Sequence, residues 1–304
     1  MSSFGDLNRV NTNIQSLDSQ LSLNRINRDM ADNQLRMSTG LRINRAEDDA
    51  AGYSIATKLN SRVEGLSQAL QNVGDAKSVL DIAESSFDTI MDNLIEMKGL
   101  ATQAANDTLG DTERGYIGDQ IKALGDDINE IANQTVFQDF DLLNGAGNTG
   151  ALTLTFQVGE RADDTLVTNI SAVNVGQLFA GETSGASVNL GAATSGGGGV
   201  ADGAGITATV AGGSGQGALS FHDDATSADF RAFISAIDSA IDGMSERVND
   251  IGIAQSSLTV REVTLSQSIS ANQSAVSRIM DTDFAKEQSE SVRLQILQQT
   301  ATSA

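Results

Sequence analysis

The segment that decides the fold runs from Phe230 to Ile279 and reads FRAFISAIDSAIDGMSERVNDIGIAQSSLTVREVTLSQSISANQSAVSRI. Fifteen of its positions are spaced alternately four and three residues apart, and twelve of them hold large apolar side chains. The 39% hydrophobic content of the chain would place about six there. A spacing that averages 3.5 residues keeps a narrow apolar stripe on one side of a helix, and partner helices bury such a stripe. The helix would be about 75 Å long, which favours lengthwise packing and assembly over a binding pocket.

The apolar members of this C-terminal stripe extend over its whole length. They are Phe230, Ile234, Ile237, Ile241, Met244, Val248, Ile251, Leu258, Leu265, Ile269, Val276 and Ile279. Three polar residues, Gln255, Glu262 and Asn272, also occupy stripe positions. A polar group there either fixes the register of the partner helices or marks a place where the bundle is open to water. We expect Asn272 to fix the register and Glu262 to face solvent.

Two further stripes occupy the N-terminal third of the chain. One runs from Leu59 to Ala104 with a single shortened step and predicts a helix about as long as the C-terminal one. The other stripe precedes it, continues with weaker spacing after Leu21 and predicts a first helix. This first helix loosens or ends at Ser38-Thr39-Gly40. With the C-terminal stripe from Ile237 to Ile279, these stripes predict an assembly seam, whose N-terminal members are Val10, Ile14, Leu17, Leu21, Leu59, Val63, Leu66, Leu70, Leu80, Phe87 and Leu94.

The pattern changes after residue 104. Turn-forming residues at 110–115 precede a shorter third helix, from Ile117 to Ile131, which we expect to fold back on the second. The segments 152–158 and 165–170 alternate in the way that is typical of strands, and they flank a turn at 159–164. We therefore predict a β-hairpin.

The middle of the chain differs in composition from both ends. Residues 176–217 hold 14 of the 30 glycines and almost no charge. Because such small side chains cannot fill a dense core, we expect a thin β-rich or loose insertion on the surface. Ser184, Thr194 and Ser195 are candidates for surface glycosylation there.

The predicted fold class is mainly α. It is a long antiparallel helical bundle or coiled coil formed by the N- and C-terminal segments, with a β-hairpin and a small Gly-rich central insertion that is β-rich or irregular. The absence of proline from the whole sequence suits long uninterrupted helices.

Composition excludes several classes of functional site. The chain has no cysteine and a single histidine, His222, so thiolate metal sites and zinc sites that need two or more histidines are impossible. A Ser-His-Asp triad would have only His222 as its base, and we expect none. The acidic pairs Asp48-Asp49, Asp126-Asp127 and Asp223-Asp224 do not fit the calcium-binding loop pattern. We therefore expect no catalytic residue, no cofactor and no metal.

Charge and hydropathy narrow the partners. The net charge of -21, from 40 acidic and 19 basic residues, opposes nonspecific binding to nucleic acid and to anionic membranes. No apolar run reaches the roughly 18 residues of a membrane span, so we expect no membrane insertion. The first seven residues carry no basic and apolar pattern of a cleavable secretory signal, so we expect any export to use another route.

Long motifs in a consistent order make the chain resemble bacterial flagellin. At the N-terminal end they are VNTN at 10–13, MSTGLRIN at 37–44, EDDAAG at 47–52 and ATQAAN at 101–106. Around the predicted hairpin they are LLNG at 142–145 and LTFQVG at 154–159. At the C-terminal end they are SRIMDTDFAKE at 277–287 and QILQQ at 295–299. The resemblance covers about residues 1–170 and 225–304.

The resemblance implies a structural subunit that polymerises into the helical flagellar filament for swimming motility. Its expected location is extracellular, after type III export of the unfolded chain without a cleavable signal peptide. The implied partners are further copies of the same chain, the flagellar export apparatus with a chaperone, and the cap and junction proteins. Other flagellins or sheath proteins are further candidates.

The resemblance also implies a division of the chain. Residues 1–44 and 280–304 would form an inner coiled-coil core, in which the segments 10–41 and 284–300 pair. Residues 45–170 and 223–279 would form the surrounding long-helix bundle with the hairpin, and 171–222 the exposed insertion. The motif positions implied at contacts between subunits are Arg42, Asn44, Asp48, Asp49, Arg278, Asp281 and Asp283. The family usually continues in an apolar segment beyond the position of Ala304, so we expect either a shortened inner layer or a sequence that stops short.

Three alternatives compete with the filament subunit. A hook-filament junction protein shares the terminal helices, but its usual Asn-Pro before the paired aspartates is Arg45-Ala46-Glu47 here. A receptor-like signalling coiled coil would need a membrane span and would leave the Gly-rich middle unexplained. A zinc protease in the central segment, which some flagellins carry, requires a His-Glu motif that this sequence lacks.

The receptor patch of some flagellins gives a first testable prediction. That patch, which engages Toll-like receptor 5, consists of an Arg, a Leu four residues on and a Glu on the next helix, and the corresponding positions here are Glu96, Leu100 and Gln120. Because one charge is reversed and another is lost, the purified monomer should activate a receptor reporter cell line only weakly. Strong activation would refute the prediction.

Overall fold

The computed structural model of the chain describes residues 14–138, 140–144, 152–180, 187–190, 205–210, 217–222 and 225–303. Its helices are α1 (Ile14–Thr39), α2 (Ala50–Ala104), α3 (Asp111–Gln134), α4 (Ser227–Met280) and α5 (Phe284–Ser303). Its strands are β1 (Val136–Phe137), β2 (Phe140–Asp141), β3 (Leu152–Gln157), β4 (Thr165–Ile170), β5 (Ser187–Asn189), β6 (Ile206–Val210) and β7 (Gly217–Phe221), and a short π-helical segment spans Gly176–Ala180. The predicted mainly helical fold is confirmed.

The ends of the long helices follow from local residues. Gly40 has a φ of 71°, a left-handed conformation that glycine adopts without strain, and it ends α1. The C-terminal helical region is interrupted at residues 281–283 and divides into α4 and α5. None of the helices in the described ranges combines the length and the apolar character that crossing a membrane requires.

The chain forms two compact units. Unit 1 consists of Met1–Ser67 and Ser266–Ala304, and unit 2 consists of Gln68–Leu265. Both α2 and α4 therefore contribute residues to each unit. The family resemblance implies other boundaries, after residues 44 and 279. That division into layers stays a prediction.

The apolar stripes of α2 and α4 form the core of unit 2. On α2 most of the buried residues alternate at three and four positions: Val73, Ala76, Leu80, Ala83, Phe87, Ile90, Leu94, Met97, Ala101 and Ala104. On α4 they include Phe230, Ile237, Met244, Ile251, Leu258 and Leu265. Each fully buried large side chain stabilises the fold by about 1.5–3 kcal/mol relative to exposure. The two stripes thus supply the main driving force for folding of this unit.

Polar pairs at the margins of the stripes set the register of α2 against α4. Lys77 Nζ donates to Glu262 Oε2 at 2.9 Å, and Lys98 Nζ pairs with Asp238 Oδ1 at 2.6 Å. Gln255 Nε2 donates to Asp81 Oδ1 at 2.9 Å and to Glu84 Oε2 at 2.7 Å. Since the residue numbers rise on one helix as they fall on the other, the helices are antiparallel.

These contacts revise the interpretation of the polar stripe residues. Glu262 is exposed, as predicted, yet it also pairs with α2. Asn272 donates only to the carbonyl of Ser268 on its own helix, at 2.8 Å. In the single chain, Gln255 and Glu262 therefore make the register contacts that the sequence placed at Asn272.

Helix α3 runs back along α2. Thr135, at the end of α3, donates from Oγ1 to Ser86 Oγ of α2 at 2.9 Å. The apolar stripe of α3 is buried and consists of Ile117, Ile121, Ile128 and Ala132. Gly118 and Gly125 lie seven residues apart on α3, where added Cβ atoms would stand 3.0 Å from Phe221 Cβ and 3.1 Å from Leu219 Cδ1. The two glycines therefore leave room for β7.

The strands form three antiparallel sheets in the described part of the chain. β1 pairs with β2, and β5, β6 and β7 form a three-stranded sheet in that order. β3 pairs with β4 so that Leu152 faces Ile170 and Gln157 faces Thr165, which confirms the predicted hairpin. Asn72 of α2 donates to the carbonyl of Gln157 at 3.1 Å and fixes the hairpin beside that helix.

The prediction that residues 171–222 lie on the surface is wrong for much of their described part. Val173, Val175, Phe179, Leu190, Ile206 and Leu219 are buried. The rings of Phe179 and Phe221 contact those of Phe233 and Phe230 of α4, with centroids 5.6–5.8 Å apart. The physical reason is that a few apolar residues spaced among the glycines dock on α3 and α4, while the glycines permit close backbone approach. Ser184, Thr194 and Ser195 lie outside the described residues.

The core of unit 2 generates a stability prediction. Leu258 on α4 is 0% exposed, whereas Val260, two residues on, is 64% exposed. Leu258→Ala should lower the free energy of unfolding by about 2–5 kcal/mol, because it leaves a cavity in the bundle. Val260→Ala is the matched control and should change it by less than about 0.5 kcal/mol. Urea unfolding of the monomer followed by circular dichroism measures both, and equal effects would contradict the assigned core.

Candidate assembly interface

The terminal helices α1 and α5 pack together in unit 1. On α1 the residues turned towards α5 are half-buried or buried and follow a three-four spacing: Leu23, Ile26, Met30, Asn33 and Met37. On α5 the corresponding residues are Glu287, Ser291, Leu294 and Gln298. Gln298 Nε2 donates to Asn27 Oδ1 at 2.9 Å. The antiparallel pairing of the two ends of the chain, which the family resemblance implies, is present in the fold.

A buried polar cluster lies near one end of this helix pair, where α1 ends and α5 begins. Asn33 Nδ2 donates to Glu287 Oε2 at 2.6 Å and to the Glu287 carbonyl at 3.1 Å. Thr282 Oγ1 donates to the other carboxylate oxygen, Oε1, at 2.9 Å. Asn33 Oδ1 has no hydrogen-bond partner among the residues that the structure describes. Because a buried carboxylate must be hydrogen-bonded, the cluster permits one register of α1 against α5.

Sequence reasoning missed Asn33 as a member of the stripe, although a usable signal was present. Asn33 continues the spacing of Ile26 and Met30, and Met37 follows it four residues on. A polar residue at such a position is a known device for fixing helix register. Its partner Glu287 is seven residues before Leu294, at the matching position of α5.

Backbone hydrogen bonds join the corner after α1 to the corner after α4. Leu41 and Asp281 form an antiparallel bridge. Arg42 N donates to the Met280 carbonyl at 2.6 Å, and Thr282 N donates to the Gly40 carbonyl at 3.0 Å. The Arg42 guanidinium donates from Nη2 to the Ile279 carbonyl at 2.7 Å, where a cation is favoured by the negative end of the helix dipole.

The motif residues of the N-terminal corner are hydrogen-bonded within it. Asn44 Nδ2 donates to the Leu41 carbonyl at 2.9 Å, and Asp48 Oδ2 accepts from the backbone N–H groups of Asn44 and Arg45, both at 3.0 Å. These two hydrogen bonds lower the pKa of the Asp48 carboxyl below its ordinary value, and the charge of Arg36 acts in the same direction. The corner is thereby held by an ionised aspartate.

Asp49 begins α2. Its Oδ1 accepts from Gly52 N at 2.9 Å, which is the geometry of a helix N-cap. A Cβ at Gly52 would stand 2.5 Å from Asp49 Oδ2 and 2.8 Å from Ile43 Cδ1. Since Ile43 is buried, Gly52 is required for this corner to close.

The motif residues of the C-terminal corner act in the same local way. Asp283 Oδ1 accepts from Ala285 N at 2.9 Å and caps the start of α5. Asp281 Oδ2 accepts from Ser277 Oγ at 2.5 Å. Arg278 is exposed and donates from Nε to the Ser274 carbonyl on its own helix at 3.2 Å.

The predicted seam residues fall into three groups. The residues at the start of α1 are exposed: Ile14 by 45%, Leu17 by 53% and Leu21 by 63%. Many on α2 and α4 are buried inside the subunit: Leu66, Leu80, Phe87, Leu94, Ile237, Met244, Ile251, Leu258 and Leu265. The remainder are half-buried: Leu59, Val63, Leu70, Ile241, Val248, Ile269, Val276 and Ile279. Val10 lies outside the described residues.

The exposure of the first α1 residues follows from where its described partner ends. Gln298 of α5 lies level with Asn27 of α1, and Ser303 is the last described residue. Because the helices are antiparallel, Ser303, five residues after Gln298, lies near Ser22, five residues before Asn27. Ile14, Leu17 and Leu21 therefore lie beyond the described part of α5.

The remaining candidate positions belong to unit 2. Glu96 is exposed on α2, Leu100 is half-buried there, and Gln120 is exposed on α3. The described residues contain no group of three or more metal-ligating side chains. Asp223 and Asp224 lie outside the described residues.

Two family models match the chain. The model described as the bacterial flagellin N-terminal helical region matches residues 10–148, and that of the C-terminal helical region matches 234–304. A flagellin of Bacillus subtilis (strain 168) is 33% identical and covers 96% of this chain, which spans 93% of that protein. The flagellar filament 41 kDa core protein of Borreliella burgdorferi is 34% identical over 49% of this chain, which spans about half, 52%, of that protein. The crystal structure of Bacillus cereus flagellin matches 64% of this chain and 88% of its own, with 20% identity and a TM-score of 0.46.

The carboxylate of Asp48 generates a pH-dependent prediction. Its folded-state pKa is lowered, so its stabilising contribution is present above the unfolded-state pKa of about 4 and is lost as the pH falls through the folded-state value. Asp48→Asn should lower the thermal midpoint of the monomer by about 2 °C at pH 7, and the difference should shrink at pH 3. Asp18→Asn, which removes an exposed carboxylate from α1, is the control. A difference that stays constant with pH would contradict the assigned role.

Proposed function

Since the chain belongs to the bacterial flagellin family and is a subunit of the helical flagellar filament, we propose that polymerisation buries the apolar side chains that α1 and α5 expose in the single chain. The observation that carries the proposal is the exposed row Ile14, Leu17 and Leu21. Three large apolar residues at three-four spacing form a stripe typical of helix packing, and a contiguous exposed apolar patch is typical of an interaction surface.

Helix α5 adds a second exposed apolar surface. Phe284, Val292, Ile296 and Leu297 are all exposed, although Leu294 between them is buried against α1. An isolated helix pair with apolar residues on both its inner and outer faces has room for further helices around it. Copies of the same helix pair are the natural occupants, because many identical subunits related by a nonclosing operation form a filament.

The burial pattern separates two roles within the seam. Residues such as Leu80, Phe87 and Leu258 are already buried inside the subunit, so a neighbouring copy cannot bury them again. We assign these to the stability of the subunit. Contact between copies is assigned to the start of α1 and the outer face of α5.

The motif residues are proposed to position the terminal helices. Asn44, Asp48, Asp49, Asp281 and Asp283 all make their hydrogen bonds within the two joined corners of unit 1. Arg42 ties one corner to the last carbonyls of α4. Fixing both corners fixes the direction in which α1 and α5 leave them. Arg278 is exposed and is proposed to contact a neighbouring copy directly.

The proposal extends to export and to the remaining partners. We propose that the chain leaves the cell unfolded through the flagellar export apparatus and folds fully only on polymerisation outside the cell. A cysteine-free chain needs no oxidation step to fold, which suits this route. A chaperone would cover the apolar faces of α1 and α5 before export, and the cap and junction proteins would meet the same faces. The family is structural, and no catalytic role is proposed.

The exposed row of α1 gives the decisive test. Leu17→Asp or Leu21→Asp should leave the circular dichroism of the monomer unchanged, because these side chains are exposed there. Each should raise the critical concentration for seeded polymerisation by at least about tenfold, because burial of an unpaired carboxylate is costly. Sedimentation of the polymer at several protein concentrations measures the critical concentration.

Ser22→Asp is the matched control for this test. It adds the same charge one residue away, at an exposed position off the row. Its effect on the critical concentration should be much smaller. If Leu17→Asp and Ser22→Asp polymerise as wild type does, the start of α1 is not the contact surface.

A further inference from the structure

Two arginines on α4 lie on one side of the helix and have no acceptor in the described part of the chain. Arg247 and Arg261 alternate at seven-residue spacing with Ala240 and Ala254, both of which are buried. The arginines are therefore about 21 Å apart along the helix. Both are half-buried, and neither makes a hydrogen bond or ion pair with any described residue.

Arginines often lie along an apolar surface and keep the charged guanidinium in water. At Arg247 the guanidinium itself is partly removed from water. Burial lowers the pKa of its guanidinium, and only the charge of the adjacent Glu246 opposes that shift. Its Nη1 lies over Gly243, 3.7 Å from the place where a Cβ would stand. A desolvated cation without a partner costs free energy, and a carboxylate brought to it would remove that cost.

The complementary charge stands on α2 of unit 2. Asp88, Asp92 and Glu96 are four residues apart, so their side chains form one row along the helix. All three are exposed, and none makes an ion pair or hydrogen bond within the described ranges. Like charges at this spacing repel one another on an isolated helix. Other carboxylates of α2, such as Asp81 and Glu84, are already bound by Gln255.

We infer that Arg247 and Arg261 of one copy bind the row Asp88, Asp92 and Glu96 of a second copy. The inference rests on the proposed function, because the second copy is supplied by polymerisation. Within the described residues of one copy, the cationic face of α4 and the anionic row of α2 are both unpaired, and the contact satisfies both. In a chain with a net charge of -21, such a pairing also offsets part of the repulsion between copies.

The first test replaces both cations. Arg247→Met together with Arg261→Met should leave the thermal midpoint of the monomer unchanged or raised, because it removes a desolvated charge without removing an ion pair. The critical concentration for seeded polymerisation should rise about tenfold at low salt. The difference from wild type should shrink at about 0.5 M NaCl, where ion pairs are screened. Lys122→Met, an exposed cation of α3, is the control and should change neither quantity much.

The second test exchanges the charges. A chain with Arg247→Glu and Arg261→Glu, and a chain with Asp88→Lys, Asp92→Lys and Glu96→Lys, should each polymerise poorly alone. An equimolar mixture should polymerise, because the acidic α4 of the first chain then meets the basic α2 of the second. If wild type polymerises and the mixture does not, the inference fails while the proposed function stands. The inference also fails if the double Met variant polymerises with the same salt dependence as wild type. If wild type itself does not polymerise on seeds, the proposed function is refuted.

Discussion

The burial of apolar side chains that recur every 3.5 residues is the constraint on which the rest of the structure depends. In unit 2 the stripes of α2 and α4 satisfy it within one chain, from Val73 to Ala104 and from Phe230 to Leu265. Their marginal polar pairs, such as Lys77 with Glu262, fix which residues face each other. Once the two helices are in register, α3, the hairpin and the strand β7 have defined surfaces on which to dock. In unit 1 the same constraint is met only in part, since the stripe of α1 continues beyond its described partner.

The sequence predicted those parts of the fold that are determined by local pattern. The long helices followed from spacing, and the hairpin of β3 and β4 followed from alternation. The end of α1 followed from Gly40, which can adopt a positive φ. The buried part of the Gly-rich segment could not be predicted in this way, because its burial depends on Gly118 and Gly125 of α3, which provide space for Leu219 and Phe221. Such complementarity between distant segments leaves no period in either one.

The candidate interface shows the same limit. The apolar row at the start of α1 was identified by its spacing, and the motif residues were identified by resemblance. The spacing could not show that Leu258 is buried inside the subunit while Leu17 is exposed, since both occupy equivalent stripe positions. The pairing of Asn33 with Glu287 joins residues that are 254 positions apart. Only the arrangement of both chain ends in three dimensions reveals it.

The distribution of charge explains how an acidic subunit can pack against copies of itself. Within α1, Arg25, Arg28 and Arg36 balance Asp18, Asp29 and Asp32, and within α5, Lys286 and Arg293 balance Glu287 and Glu290, so that both helices are neutral. The net charge of -21 therefore resides entirely in the other segments. Bringing many copies of α1 and α5 together accumulates no like charge, and the apolar contacts there need not overcome it. The excess acid elsewhere keeps single chains apart in solution without opposing the contacts between their terminal helices.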